Sequence, residues 1–162
     1  MVISMIIPLE TLSLVTFDKN NEKHITFLKR IINDESIKKR FTGFLSRLNS
    51  KANYGIIGKS FFVAENKELI GFIDIGLLNQ EEEAVYLRGA IDKSKRGNNY
   101  GHKMLNEVSN YIFENYSNVK TIKLKIDKNN YASIKTAESC GFNYILNDYY
   151  IKSNPYLKKS HK

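Results

Sequence analysis

The chain of 162 residues contains one cysteine, two prolines and no tryptophan. A single thiol, Cys140, cannot close an internal disulfide, which excludes a stapled secreted scaffold and points to a cytoplasmic protein. Cys140 has small neighbours, Ala137 and Gly141, and reads as a partly buried small residue without an evident partner. Pro8 and Pro155 stand near the ends, and no repeat, low-complexity tract or Pro/Gly/Ser-rich linker interrupts the chain, so one domain over 1–162 is expected. No run approaches the roughly 20 apolar residues that span a bilayer. The apolar opening, Met1 to Leu9, lacks a basic leader and a small-residue cleavage site, and reads as the start of the fold. His24, His102 and His161 show no metal-ligand spacing, so no metal is expected, and His24 and His161 have no evident partners.

What the sequence has in excess is positive charge, with a formal net of +8. Such a balance suits nucleic acid, an anionic membrane surface or an anionic ligand. The lysines are scattered, and only 152–162 is locally dense, reading as a basic C-terminal tail. No recognition-helix or aromatic-platform motif accompanies the charge, so a nucleic-acid partner is not expected. A phosphate-bearing ligand remains open.

Hydrophobic spacing outlines the elements. Thr11 to Phe17 reads as a strand, with Leu12 and Leu14 alternating against polar neighbours. Ile25, Leu28, Ile31 and Ile32 share one face of a helix. Ile37, Phe41, Phe44, Leu45 and Leu48 share a face of a second, which Asp34 can cap. Asn49 to Lys59 reads as a loop. Phe61–Glu65 and Leu69–Gly76 form a hairpin through Asn66-Lys67-Glu68. After a polar turn at Asn79–Glu83, Ala84–Ile91 is a strand in which Gly89 marks a bulge or a close backbone approach. Tyr100, Met104, Leu105, Val108, Tyr111 and Ile112 then follow helical spacing. Ile122, Leu124 and Ile126 alternate with lysines in a strand. Asn130–Cys140 is a short helix stopped by Gly141, and Phe142–Tyr144 and Tyr149–Ile151 close with a hairpin. This order predicts an α+β (α/β) sandwich: a mixed, mostly antiparallel sheet of about seven strands with helices on both faces.

The run Arg96-Gly97-Asn98-Asn99-Tyr100-Gly101 lies between a strand and a helix. First-turn amides have no intrahelical partner, and the helix dipole favours an anion there. Glycines let a phosphate approach, Asn99 tolerates unusual backbone angles, and Arg96 adds charge, with Lys93, Lys95 and Lys103 around it. A pyrophosphate cradle and an ordinary solvated turn both fit these residues. A P-loop is excluded because His102 follows Gly101, and the dinucleotide fingerprint fails on its glycine spacing.

The segment resembles the cofactor motif of the GNAT superfamily of N-acetyltransferases, Arg/Gln-x-x-Gly-x-Gly/Ala. Arg96 and Gly101 match its ends, and Asn99 stands where the family usually has glycine. Downstream, Asn130-x-x-Ser133, Ala137-Glu138 and Gly141-Phe142 look like the family's next helix, Asn-x-x-Ser/Ala followed by Gly-Phe. The likeness runs from Ala84 to Tyr144 and is nearest to the subgroup that acetylates ribosomal-protein N-termini or small amines.

The resemblance implies an acetyl-CoA-dependent N-acetyltransferase, working by direct attack of a neutral amine in a ternary complex, as a monomer or homodimer. It implies that the strands Ala84–Ile91 and Thr121–Ile126 splay apart and that pantetheine pairs with Leu87, Gly89, Ala90 and Ile91. Pyrophosphate would lie on Arg96, Gly97, Asn98, Asn99, Tyr100, Gly101, His102 and Lys103. Asn130, Ser133 and Lys135 would lie near the cofactor. Many members use a tyrosine seven positions after the motif asparagine as general acid; here that residue is Ala137, and Ser133 is the candidate in its place. Glu83 and Asp74 are candidate bases. The missing tyrosine also keeps open a non-catalytic acyl-CoA-binding or sensing module.

Overall fold

The computed structural model describes residues 5–38, 55–76 and 79–157. One sheet of eight strands organises them, in the order β1-β2-β3-β4-β5-β6-β8-β7. The strands are β1 (Ile6–Pro8), β2 (Ser13–Val15), β3 (Ser60–Glu65), β4 (Glu68–Ile75), β5 (Ala84–Ile91), β6 (Thr121–Lys125), β7 (Asn143–Leu146) and β8 (Tyr149–Ser153). All neighbours run antiparallel except β5 and β6, which are parallel. The expected mixed sheet is present with one strand more than about seven, because the apolar opening contributes β1. The first expected strand is shorter than Thr11–Phe17. Glu107 captures the residues just before β2, accepting from the Thr11 and Leu12 amides and the Thr11 hydroxyl.

Among the described residues four helices cover the two faces: α1 (Glu22–Ile32), α2 (Glu35–Lys38), α3 (Tyr100–Asn115) and α4 (Tyr131–Ser139). Strand parity sorts the core between them. Val63, Ile73, Ile75, Val85, Leu87 and Ile122 point toward α3 and α4, where Met104, Val108, Ile112, Ala137 and Phe142 meet them. Phe62, Phe72 and Ala90 point the other way, onto Phe27 and Ile31 of α1 and Ile37 of α2.

Local chemistry sets the element ends. Asn21 caps α1, its side chain accepting from the Lys23 and His24 amides at 2.9 and 3.3 Å. The buried stripe of α1 is His24, Phe27 and Ile31, with Ile25, Leu28 and Ile32 only flanking it. His24 has a partner after all: the Asp18 N–H donates to its Nδ1 at 3.0 Å. Asp34 caps α2 as expected, accepting from the Ser36 amide at 2.9 Å. The rest of the second apolar face, Phe41 to Leu48, lies outside the described residues.

Both hairpins turn on two residues with positive φ, Asn66 (48°) and Lys67 (69°) in one, Asn147 (51°) and Asp148 (65°) in the other. That geometry matches the twist of the flanking strands. α4 ends in paired bonds, Gly141 N–H to Glu138 O and Phe142 N–H to Ala137 O, each 3.0 Å, with Gly141 at φ 87°. The basic stretch from Lys152 is not all tail. Lys152 and Ser153 belong to β8, and buried Asn154 donates to the carbonyl of Val119 at 2.9 Å.

Candidate active site

β5 and β6 are joined only over Ala84–Tyr86 against Thr121–Lys123, and no rung joins them beyond the Tyr86–Lys123 pair. β5 nevertheless stays paired to β4 on its other side through Ile91. The two parallel strands therefore diverge from a vertex at Tyr86–Lys123, as the family resemblance implies. A cleft of about 960 Å³ opens there, lined by Leu87–Ile91 on one side and Leu124–Asp127 on the other. Gly89 lies where backbone crowds backbone: a Cβ would sit 2.5 Å from the Phe72 carbonyl oxygen. Of its two expected meanings, close approach is the correct one.

At the mouth of the cleft lies the turn 96–101. A short 3₁₀ segment, Lys93–Lys95, leads from β5 into it. Gly97 has φ 83° with open space around its Cβ position, and Asn99 has φ 64°. Asn99 is the N-cap of α3 but makes no side-chain cap bond, unlike Asn21 and Asn130. The helical ladder begins at Lys103 N–H to Asn99 O, 3.1 Å. The amides of Tyr100, Gly101 and His102 thus form a first turn that its own cap leaves for another acceptor. Gly97, Asn99, Tyr100, Gly101 and His102 line the cleft.

Arg96 also lines the cleft, and it is held from three sides. Its Nε donates to the Ile91 carbonyl at 3.1 Å, and its Nη2 donates to Asp34 Oδ2 and Ser36 Oγ, each at 3.1 Å. The Ser36 hydroxyl first, with Arg96 adding to it, holds the Asp34 carboxyl below the usual carboxylate range. A second ion pair runs beside this one, from Arg30 of α1 to buried Asp92 at 2.6 Å. α1 and α2 are thereby pinned to the turn.

Asn98, Lys103 and Lys135 do not line the cleft. The Asn98 amide donates to the Lys95 carbonyl, bracing the turn from within. Lys103 donates to Glu65 at 3.0 Å, and Tyr100 donates to the same carboxylate at 2.8 Å. Those two donors hold the Glu65 carboxyl below its ordinary value. Lys135 is exposed, because two residues beyond Ser133 a helix has turned by roughly 200°. Asn130 and Ser133 both line the cleft, and Asn130 Oδ1 caps α4 by accepting from the Ser133 amide at 3.2 Å. Ala137 is fully buried in the core. His102 Nδ1 lies 2.8 Å from Ser139 Oγ and 3.5 Å from Cys140 Sγ, so Cys140 is buried beside a partner, and burial pushes its thiol up.

The candidate bases are placed elsewhere. Glu83 pairs with Lys120 at the turn before β5. Asp74 is buried, accepting from the Ser60 hydroxyl at 2.9 Å and pairing with Arg88 at 3.3 Å. Two lining residues that the sequence reading passed over are Arg88 and Lys125. Their signal was strand parity, which sets Arg88 beside Tyr86, and Lys125 beside Lys123, on the side of the sheet opposite Leu87 and Leu124.

Comparison with known proteins meets this geometry. A family model described as "Acetyltransferase (GNAT) domain" matches residues 9–143. The chain belongs to the GNAT acetyltransferase family. It is therefore an acetyltransferase whose cosubstrate is acetyl-CoA. Among solved structures, a GNAT-family acetyltransferase from Bacillus anthracis superposes with a TM-score of 0.71 at 15% identity, covering 93% of this chain and 99% of that one. The Salmonella typhimurium enzyme that modifies the N-terminal serine of ribosomal protein L7/L12 gives 0.64 at 18% identity, covering 92% and 99%. Spermidine N-acetyltransferase from Vibrio cholerae, solved with CoA and spermine, gives 0.62 at 17% identity, covering 89% and 96%. No curated protein sequence matches. Among the described residues no helix is long and apolar enough to cross a membrane.

Proposed function

We propose that this acetyltransferase moves the acetyl group of acetyl-CoA directly to a primary amine within a ternary complex. The observation that carries the reading is the diverging pair β5/β6, open from the Tyr86–Lys123 rung, with an uncapped helix start at its mouth. A pantetheine arm is a strand-like chain of amides, and the β5 edge at Leu87–Ile91 offers it a missing strand's place. The pyrophosphate then meets the amides of Gly97, Asn99, Tyr100 and Gly101 and the Arg96 guanidinium. The Asn130 amide group and the Ser133 hydroxyl face the arm from α4.

In the transfer the amine nitrogen's lone pair forms a bond to the thioester carbonyl carbon. The C–S bond then breaks with its electrons passing to sulfur. The nitrogen loses one proton and the departing thiolate gains one. Ser133 is the hydroxyl we assign to the thiolate, since it lines the cleft and Ala137 offers no hydroxyl. The solved relatives act on acceptors as unlike as a protein N-terminus and a polyamine, and either class enters from the α1/α2 side. A reducing cytoplasm accords with the lone buried thiol.

Buried Ala137 is also the observation that favours a second reading, a module that binds acetyl-CoA without turning it over. One experiment separates the two. Acetyl-CoA is titrated against the protein and its Arg96→Gln and Ser133→Ala variants, and thiol release is followed with a broad amine panel. We expect Arg96→Gln to weaken binding about ten-fold. We expect Ser133→Ala to bind normally and release thiol about 100-fold more slowly. Binding without release above background in the unsubstituted protein selects the sensing module, and no binding at millimolar acetyl-CoA refutes both.

A further inference from the structure

The acceptor's chemical class is written on the face of the sheet that looks away from α3. Toward α3 the cleft is lined by apolar Leu87, Met104 and Leu105, which offer an amine no polar partner. An incoming amine therefore reaches the cleft from the side shared by Tyr86, Arg88, Lys123 and Lys125. Register places them. Tyr86 and Lys123 form the last rung, and the lysine ammonium lies 5.8 Å from the tyrosine ring. Arg88 stands two residues beyond Tyr86, and Lys125 two beyond Lys123, so one cation stands on each diverging strand just past the vertex.

Both cations are held. Arg88 pairs with Asp74, which is 3% exposed and also accepts from Ser60, while the arginine side chain is 40% exposed. Lys125 rests over the Tyr149 ring at 5.7 Å. Of the four cations in the described lining, Arg88, Lys95 and Arg96 each pair with a carboxylate behind them, Asp74, Glu68 and Asp34, while Lys125 rests on a ring. Lys95 and Arg96 belong to the mouth, where the pyrophosphate of our functional reading lies. Arg88 and Lys125 stand two residues past the vertex, where that reading puts the thioester.

We propose that Arg88 and Lys125 select an acceptor amine that carries an anionic group, a phosphate or carboxylate, close to its nitrogen. A guanidinium fixed from behind by a buried carboxylate is preorganised for such a group. Lys125, whose ammonium rests on a ring and not on a carboxylate, disfavours a second positive charge beside it: it repels a polyamine and shifts an acceptor ammonium toward the neutral, nucleophilic form. Asp74 acts here as a positioning residue for Arg88.

The inference rests on the proposed transferase reading, and its test keeps the two apart. Acetyl transfer by the full chain is measured for glucosamine 6-phosphate against glucosamine. The same is done for a peptide beginning Ser-Asp-Glu against one beginning Ser-Asn-Gln, and for spermidine. Acetyl-CoA affinity is measured in parallel. We expect the anionic member of at least one pair to exceed its neutral twin about ten-fold in kcat/KM. Whichever pair responds tells a small phosphorylated amine from an acidic N-terminus. Spermidine should be the poorest acceptor. Arg88→Gln and Lys125→Gln should each erase the preference through KM, and Lys125→Glu should invert it. Because Arg88→Gln leaves Asp74 buried, the pair Asp74→Asn with Arg88→Gln is the folding control, and exposed Lys125 supplies an independent variant. Preference for spermidine or the neutral twins overturns the inference. So does a preference unchanged in both substitutions, or no binding or acetylation of any anionic probe by protein that binds acetyl-CoA. Loss of acetyl-CoA binding itself refutes the transferase reading instead.

Discussion

His24 is 6% exposed, against Phe17 and Phe62, and accepts the Asp18 amide on Nδ1. Burial holds its pKa below the ordinary 6.5, outweighing the pull of Asp18 in the other direction. A depressed histidine pKa means that the unfolded chain binds the proton more readily. The stability it contributes is present above pH 6.5 and is lost as pH falls through the lower folded value. Urea midpoints at pH 7.5 and pH 5.5 should therefore differ more for the unsubstituted protein than for His24→Gln, which cannot titrate. Equal differences would show that other groups dominate the acid limb. In the sequence His24 looked like a residue without a role, because its partner is a backbone amide, which no side-chain pattern reveals.

At the scale of elements, three of the described helices begin with asparagine and two of them use it as a cap. Asn21 and Asn130 bond first-turn amides, while Asn99, at φ 64°, turns its side chain away from that task. Asn21→Ala and Asn130→Ala should each cost about 1 kcal/mol in chemical denaturation. Only Asn130→Ala should also weaken acetyl-CoA binding by calorimetry; parallel losses from both would point to a general loosening. Most element identities were legible because long-period spacing carries them: the α3 stripe, the β6 alternation and the Gly141 stop all stand as read. Two features resisted. β1 is three residues long, too short for alternation to register, and β2 was read from its alternation but at more than its three residues. The buried stripe of α1 is shifted by one position because a histidine holds a core place that hydrophobicity alone assigns to isoleucine. At the site, the turn and the cleft walls were readable as contiguous motifs. Arg88 and Lys125 were not, since their meeting depends on the β5/β6 register, which is a property of two distant segments.

For the molecule as a whole, the last strand in sequence lies inside the sheet. β8 lies between β6 and β7, and Asn154 reaches the loop before β6. Ending the chain after Ile151 removes two strand residues and the Asn154 bonds, and should cost about 3 kcal/mol or more. Differential scanning calorimetry of that truncation checks this, and a harmless outcome would mean that β8 is dispensable beyond Ile151. The two ion pairs that join α1 and α2 to the 92–96 turn have a consequence on the same scale. Arg30 and Asp34 are four residues apart, as are Asp92 and Arg96, and the pairs run in opposite senses, cation to anion and anion to cation. Grafting this turn into another acetyltransferase without α1 and the start of α2 would take the cation from Asp92 and leave Arg96 held only by the Ile91 carbonyl. The interchangeable part in a chimaera is therefore the turn together with its facing helices.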